Sequence, residues 1–193
     1  MAMLTASPRT SLRVTLPSAA SEREALEAAL DALAPIFTAV PAMDGERDGA
    51  LLVVSDDAGR ATAVSFWRDA LRTGLALASP GAFPWCLANA PCATIAQRFG
   101  VTGANVTWLA SFSDPCTAFA APAAWLADRS SWGTHDGAPT PAWLVAMQLR
   151  GPAPQLMAWR WTDPGAGACD DDRSGLHDAI RDALVSAWSA EPS

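Results

Sequence analysis

From Leu12 to Leu16 apolar and polar positions alternate, and the run ends at Pro17, the pattern of a strand with one covered face. Ser21 then offers an N-cap with Glu24 three residues on, and Leu26, Ala29, Leu30 and Leu33 follow at helical spacing. Pro35 is expected to stop this helix after roughly 13 residues. Phe37 to Gly49 reads as irregular, with Pro41 and Asp44-Gly45 as turn signals. The continuous apolar run Ala50 to Val54 predicts a buried, parallel strand. After a turn at Ser55 to Gly59, Val64 to Leu71 carries Phe66, Trp67, Ala70 and Leu71 on one helical face.

The second half continues this alternation of strands and helices. Asn105 to Ala110, β-branched and apolar, reads as a strand, and Pro115 to Leu126, with Phe119, Trp125 and Leu126 as its large apolar residues, reads as a helix that Pro122 should kink or shorten. Ser130 to Pro141 is a loop rich in Gly, Pro and Ser. Trp143 to Leu149 and Gln155 to Trp161 are strands joined as a hairpin through Arg150 to Pro154. An acidic linker, Gly165 to Asp172, leads to a final helix at 174–189 with Leu176, Ile180, Leu184 and Trp188 on one face. The pattern predicts one α/β domain over residues 1–193, with Leu12 to Leu16, Ala50 to Val54 and Asn105 to Ala110 as neighbouring strands of one mixed sheet.

Composition narrows the classes of partner. The chain has 193 residues, 50% of them hydrophobic, which suffices for one domain with a substantial core. Its formal charge is −7 and its 13 basic residues are all arginine, so a nucleic-acid partner is not expected. No apolar run approaches about 18 residues, and the N-terminus lacks a charged segment followed by an apolar one. A membrane span is therefore not expected, and the cytoplasm is the expected location. Cys86, Cys92, Cys116 and Cys169 have no Cys-x-x-Cys spacing and no nearby histidine, so they read as small core residues and not as metal ligands. His135 reads as a turn residue and His177 as a solvated helix residue. Most tryptophans fall in predicted elements and read as core. Trp159 and Trp161, on one face of a strand, could also form a ridge that a partner covers.

One stretch, Phe83 to Ala127, carries more than periodicity. After Phe83-Pro84 and the small-residue opening Ala88-Asn89-Ala90-Pro91, it runs Arg98-Phe99-Gly100, Gly103, Asn105 and Thr107 into a strand, then the small elbow Ala110-Ser111-Phe112-Ser113-Asp114. This order resembles the centre of the N-terminal half of β-ketoacyl synthases, the thiolase-fold condensing enzymes of fatty-acid and polyketide synthesis. The resemblance reaches back to about residue 50 and weakens before it. It implies a thiolase-like half-domain, a five-stranded mixed sheet with helices on both faces. It also implies an acyl-carrying cysteine at the elbow, where this chain has Phe112, and two further residues, commonly histidines, from a second half that this chain does not contain.

The resemblance therefore implies a non-catalytic ketosynthase-like subunit of chain-length-factor type, without cofactor or metal, supporting fatty-acid, polyketide or aryl-polyene biosynthesis. In that family the strand before the elbow pairs with its copy across a two-fold axis. The corresponding interface here is Asn105, Val106, Thr107, Trp108, Leu109 and Ala110, with a second copy or a full-length ketosynthase as partner and an acyl carrier protein as a further one. A half-domain alone would leave the Pro115 to Leu126 helix short of cover on one side. The competing reading is an acyltransferase or thioesterase using Cys116, or Ser111 or Ser113 with Asp114 and a histidine. Against it, Cys116 is expected to follow its helix toward the sheet, and no Gly-x-Ser-x-Gly turn is present.

Overall fold

The computed structural model describes residues 10–17, 21–42, 46–128, 141–149, 154–162 and 173–190. Five strands and five helices follow in the order β1 (Thr10–Thr15), α1 (Glu22–Thr38), β2 (Ala50–Ser55), α2 (Arg60–Thr73), α3 (Ala90–Phe99), β3 (Asn105–Leu109), α4 (Pro115–Ala127), β4 (Pro141–Gln148), β5 (Gln155–Thr162) and α5 (Arg173–Ser189). Two short 3-10 turns, Leu75–Leu77 and Phe83–Cys86, lie between α2 and α3.

All five strands form one mixed sheet in the order β1-β5-β4-β2-β3. Strands β2, β3 and β4 are mutually parallel, and β5 runs antiparallel to β4 and to β1. The expected hairpin is present, with Pro141 opposite Thr162 and Gln148 opposite Gln155. Strands β2 and β3 are neighbours as expected, but β1 is not beside them. It pairs with β5 at the far edge, Thr10 opposite Arg160 and Thr15 opposite Gln155. The β4–β5 hairpin intervenes because β5, β4 and β2, the most continuously buried strands, take the three interior positions where both faces are covered.

Two apolar layers sandwich the sheet. On one face Leu51, Val53, Trp143 and Val145 meet Leu26, Leu33 and Phe37 of α1 and Ile95 and Phe99 of α3. On the other, Leu52, Val54, Leu144, Trp159 and Trp161 meet Phe119 and Leu126 of α4 and Ile180, Leu184 and Trp188 of α5. Trp159 and Trp161 are thus core residues, not a surface ridge.

Helix α1 begins as its capping residues predict, the Glu24 amide donating to Ser21 Oγ at 3.2 Å. It does not stop at Pro35 but continues to Thr38. The extra turn buries Ile36 and Phe37, and Phe37 stacks on Phe99 (4.4 Å between ring centroids) and Trp143 (5.1 Å). Burying those two side chains contributes about 3–6 kcal/mol, enough to offset the roughly 3 kcal/mol that an interior proline costs.

The Arg98 to Gly103 segment is built for close packing. Phe99 fills the core, Gly100 closes α3 in the left-handed region at φ 66°, and a Cβ on Gly103 would collide with the Gly49 backbone. Arg47 fixes the same corner, its Nε donating to the Val40 carbonyl at 3.0 Å and its guanidinium also reaching the Phe99 carbonyl.

Candidate functional site

The elbow joins the end of β3 to the start of α4. The Ala110 amide donates to the Ser55 carbonyl at 3.0 Å, which holds the chain beside β2 until it turns. Ser111 and Ser113 then hydrogen-bond to each other through their hydroxyls at 2.8 Å. Asp114 caps α4, accepting from the Thr117 hydroxyl at 2.6 Å and the Thr117 amide at 3.4 Å. The Thr117 hydroxyl, and after it the Thr117 amide, hold the Asp114 carboxyl below its ordinary value.

Between these exposed polar residues Phe112 turns inward. It is 8% exposed and stacks on Trp188 of α5, ring centroids 4.1 Å apart, with Phe119 of α4 at 5.8 Å. Phe119 in turn meets Trp159 edge-on at 6.1 Å, so the ring at the elbow is tied through aromatic contacts to the sheet. The α4 helix is not left short of cover. Helix α5 lies along it, and Ala118, Phe119, Pro122, Ala123 and Leu126 are all buried. Pro122 sits inside α4 without ending it.

Cys116 does not point toward the sheet. It is exposed on the first turn of α4, because the buried face of that helix is set by Phe119, Pro122, Ala123 and Leu126 and Cys116 lies to its side. Arg181 of α5 is within electrostatic reach of it. The Arg181 guanidinium is raised from its ordinary value chiefly by its hydrogen bond to Asp182, and Asp178 and Cys116 add to this. Cys92 differs in kind. It is buried under β3 with Sγ 3.6 Å from the Val106 carbonyl, and burial pushes its thiol up to about 11 against the lowering effect of Thr107 and the Val106 backbone.

His177 is half-buried and bridges helices. Its Nε2 lies 3.1 Å from the Ala120 carbonyl, so that nitrogen carries the proton and donates, and Nδ1 lies 3.5 Å from the Asp178 carboxylate. It makes no bond to Ser111 or Ser113, and Asp114 is engaged by Thr117, so these residues do not form a Ser-His-Asp relay among the described residues. His135 and Cys169 lie outside the described residues. No group of three or more His, Cys, Asp or Glu side chains among the described residues could hold a metal ion.

Among the described residues, the strand leading to the elbow, β3, is the outermost of the sheet and pairs only with β2. The Leu51 amide donates to the Ala104 carbonyl, and the Ala110 amide to the Ser55 carbonyl. By strand alternation the amides and carbonyls of Asn105, Thr107 and Leu109 then point away from the sheet. Trp108 and Leu109 are exposed on this edge, which has no Lys, Pro or charge to discourage pairing. Sequence reasoning marked Asn105 to Ala110 as an edge from the resemblance alone, and the sheet order supplies the edge independently.

Compared with known proteins, the sequence matches no family model and no curated protein. No described helix is long and apolar enough to cross a membrane.

Proposed function

We propose that this chain is a non-catalytic ketosynthase-like subunit of chain-length-factor type, acting as a partner in fatty-acid, polyketide or aryl-polyene synthesis. Phe112 carries the reading. It occupies the elbow where the resembling family has its acyl-carrying cysteine, and its ring is stacked beneath Trp188, so the position offers neither a nucleophile nor an open approach. A five-stranded mixed sheet with helices on both faces, β3 on its edge and an elbow into α4 are what a thiolase-like half-domain requires, and they support the same reading.

Pairing is the expected mode of action. A two-fold axis at Thr107 would set Asn105 of one chain opposite Leu109 of the other, and the outward amides and carbonyls of Asn105, Thr107 and Leu109 would satisfy one another. The partner is a second copy or a full-length ketosynthase. Incubation with an acyl thioester followed by mass spectrometry is expected to leave the protein unmodified, and an acyl adduct overturns the non-catalytic reading. Light scattering is expected to report a dimer, alone or with a ketosynthase. A monomer under both conditions overturns the pairing.

One observation favours the enzyme reading. Cys116 is exposed on the first turn of a helix, so its thiol is open to a substrate. An adduct lost on Cys116→Ser would assign acyl transfer or thioester hydrolysis to that thiol.

A further inference from the structure

Helix α2 belongs to neither apolar layer of the core. Its principal contacts are with the two 3-10 turns that follow it, and its only buried side chain is Ala70. Phe66 secures this attachment through edge-on contacts with Trp67 at 5.5 Å and Phe83 at 6.0 Å. The rest of its apolar content faces water. Val64 is 50% exposed, Trp67 53% and Leu71 86%, and their spacing of three and four residues makes one continuous stripe.

The charges around the stripe are all of one sign. Arg60 extends it by one turn, and Arg68 and Arg72, four residues apart, flank it. All three guanidinium groups are exposed and have no hydrogen bond or ion pair among the described residues. Asp69, the one carboxylate of α2, lies on the opposite side of the helix. A cluster of unpaired arginines around an apolar stripe is unexpected on a chain of formal charge −7, where acidic neighbours are abundant. Tryptophan and arginine are also the residues that dominate the energetics of protein interfaces.

We propose that the exposed stripe of α2 docks an acidic amphipathic helix of another protein. Val64, Trp67 and Leu71 would receive its apolar face, and Arg60, Arg68 and Arg72 would pair with its carboxylates. An anionic bilayer offers similar chemistry, but a broad charged plane would also face the chain's many acidic groups, whereas a single helix need meet only the stripe and its arginines. The stripe shares no residue with β3, and the inference does not rest on that pairing.

The test uses the full chain and three probes: a labelled helical peptide of Glu and Leu with leucines at positions i, i+3, i+4 and i+7, its Lys-for-Glu counterpart, and vesicles rich in phosphatidylglycerol. Fluorescence anisotropy is expected to show saturable binding of the acidic peptide alone, weakening as salt is raised. Arg68→Glu with Arg72→Glu, and separately Trp67→Ala, should each lower the affinity about tenfold or more, whereas Arg98→Glu on α3 should leave it nearly unchanged. These side chains are exposed, and circular dichroism should show each variant folded. Failure of the acidic peptide to bind, equal binding of the basic peptide, or insensitivity to the α2 variants overturns the proposal. Binding to the vesicles but not to the peptide assigns the stripe to a membrane surface and also overturns it. A change in oligomeric state in these variants without loss of peptide binding makes the stripe a self-contact, with the same consequence.

Discussion

The ring of Phe112 lies 4.1 Å from that of Trp188 with the two planes 22° from parallel, so the elbow after β3 is closed by the last helix of the same chain. The contact joins the elbow to the final helix, which packs along α4. Replacing Phe112 with Cys should therefore leave condensing activity absent, since Trp188 covers the position and leaves no open approach to it. It should also destabilise the fold by about 2–4 kcal/mol, somewhat less than a Phe→Ala cavity. Denaturant melts and a condensation assay check both parts, and condensation by this single variant would refute the non-catalytic reading.

Pairing through β3 makes a prediction that separates the edge from the sheet. The Thr107 amide points outward, so Thr107→Pro removes a donor that β2 does not use, and it should give a folded monomer. Trp108→Glu should likewise shift the protein to monomer or aggregate. Size-exclusion chromatography with light scattering reads both, and a dimer unchanged in both variants would rule out this edge.

Cys92 gives stability a dependence on alkaline pH. In the unfolded chain its thiol ionises near its ordinary value of 9.0, whereas in the folded protein burial holds it protonated to about 11. Between those values the unfolded state binds fewer protons, so stability is full below about pH 9 and falls as pH rises toward 11, by on the order of 2 kcal/mol. Urea melts at pH 8 and pH 10.5 should show this slope in the natural protein and a shallower one in Cys92→Ala.

Asp114 acts at the other end of the scale. Its folded value is depressed by Thr117, so its contribution is present above the ordinary carboxylate range and is lost as pH falls through the folded value. Asp114→Ala should lower the melting temperature at pH 7 by removing the α4 cap, and the difference from the natural protein should shrink in strong acid. A deficit that does not depend on pH would show that the capping charge is not its source.

Arg13 of β1 clasps the end of α5. Its guanidinium donates to the Ala187 carbonyl at 3.1 Å and the Trp188 carbonyl at 3.4 Å, and it also reaches that of Ala190. These are carbonyls that a helix end leaves without partners. Arg13→Met should speed amide exchange over the last turn of α5 and loosen the Phe112–Trp188 stack, read as a change in near-ultraviolet circular dichroism.

Periodicity located most strands and helices, because most bury a face large enough to leave its spacing in the sequence, and the resemblance supplied the opening of α3 at Ala88 to Pro91. The β4–β5 hairpin was legible for the same reason. The place of β1 was not, since a five-residue alternation marks an edge or half-covered strand without saying which edge. The passage of α1 through Pro35 was missed because the stacking of Phe37 on Phe99 and Trp143 is a tertiary gain that no local propensity contains. At the site, the resemblance singled out Phe112 and the β3 edge, but the outward turn of Cys116 and the cover that α5 gives α4 depend on how two helices pack. On α2, spacing alone reads Trp67 and Leu71 as core, and only the structure shows them facing water.

The placement of β1 bears on how the chain is made. Its pairing with β5 joins residues as many as 150 positions apart, Thr10 Oγ1 accepting from Arg160 at 3.1 Å. On a ribosome adding about 5–20 residues per second, the first strand has no edge to join for roughly 10–30 s. During that interval β2, β3 and the helices between them can assemble, and β1 is then the last strand added. A chaperone that engages the nascent chain in that interval would find an alternating strand awaiting a partner. Closing the sheet and seating Arg13 on α5 would then be a single late event that releases it.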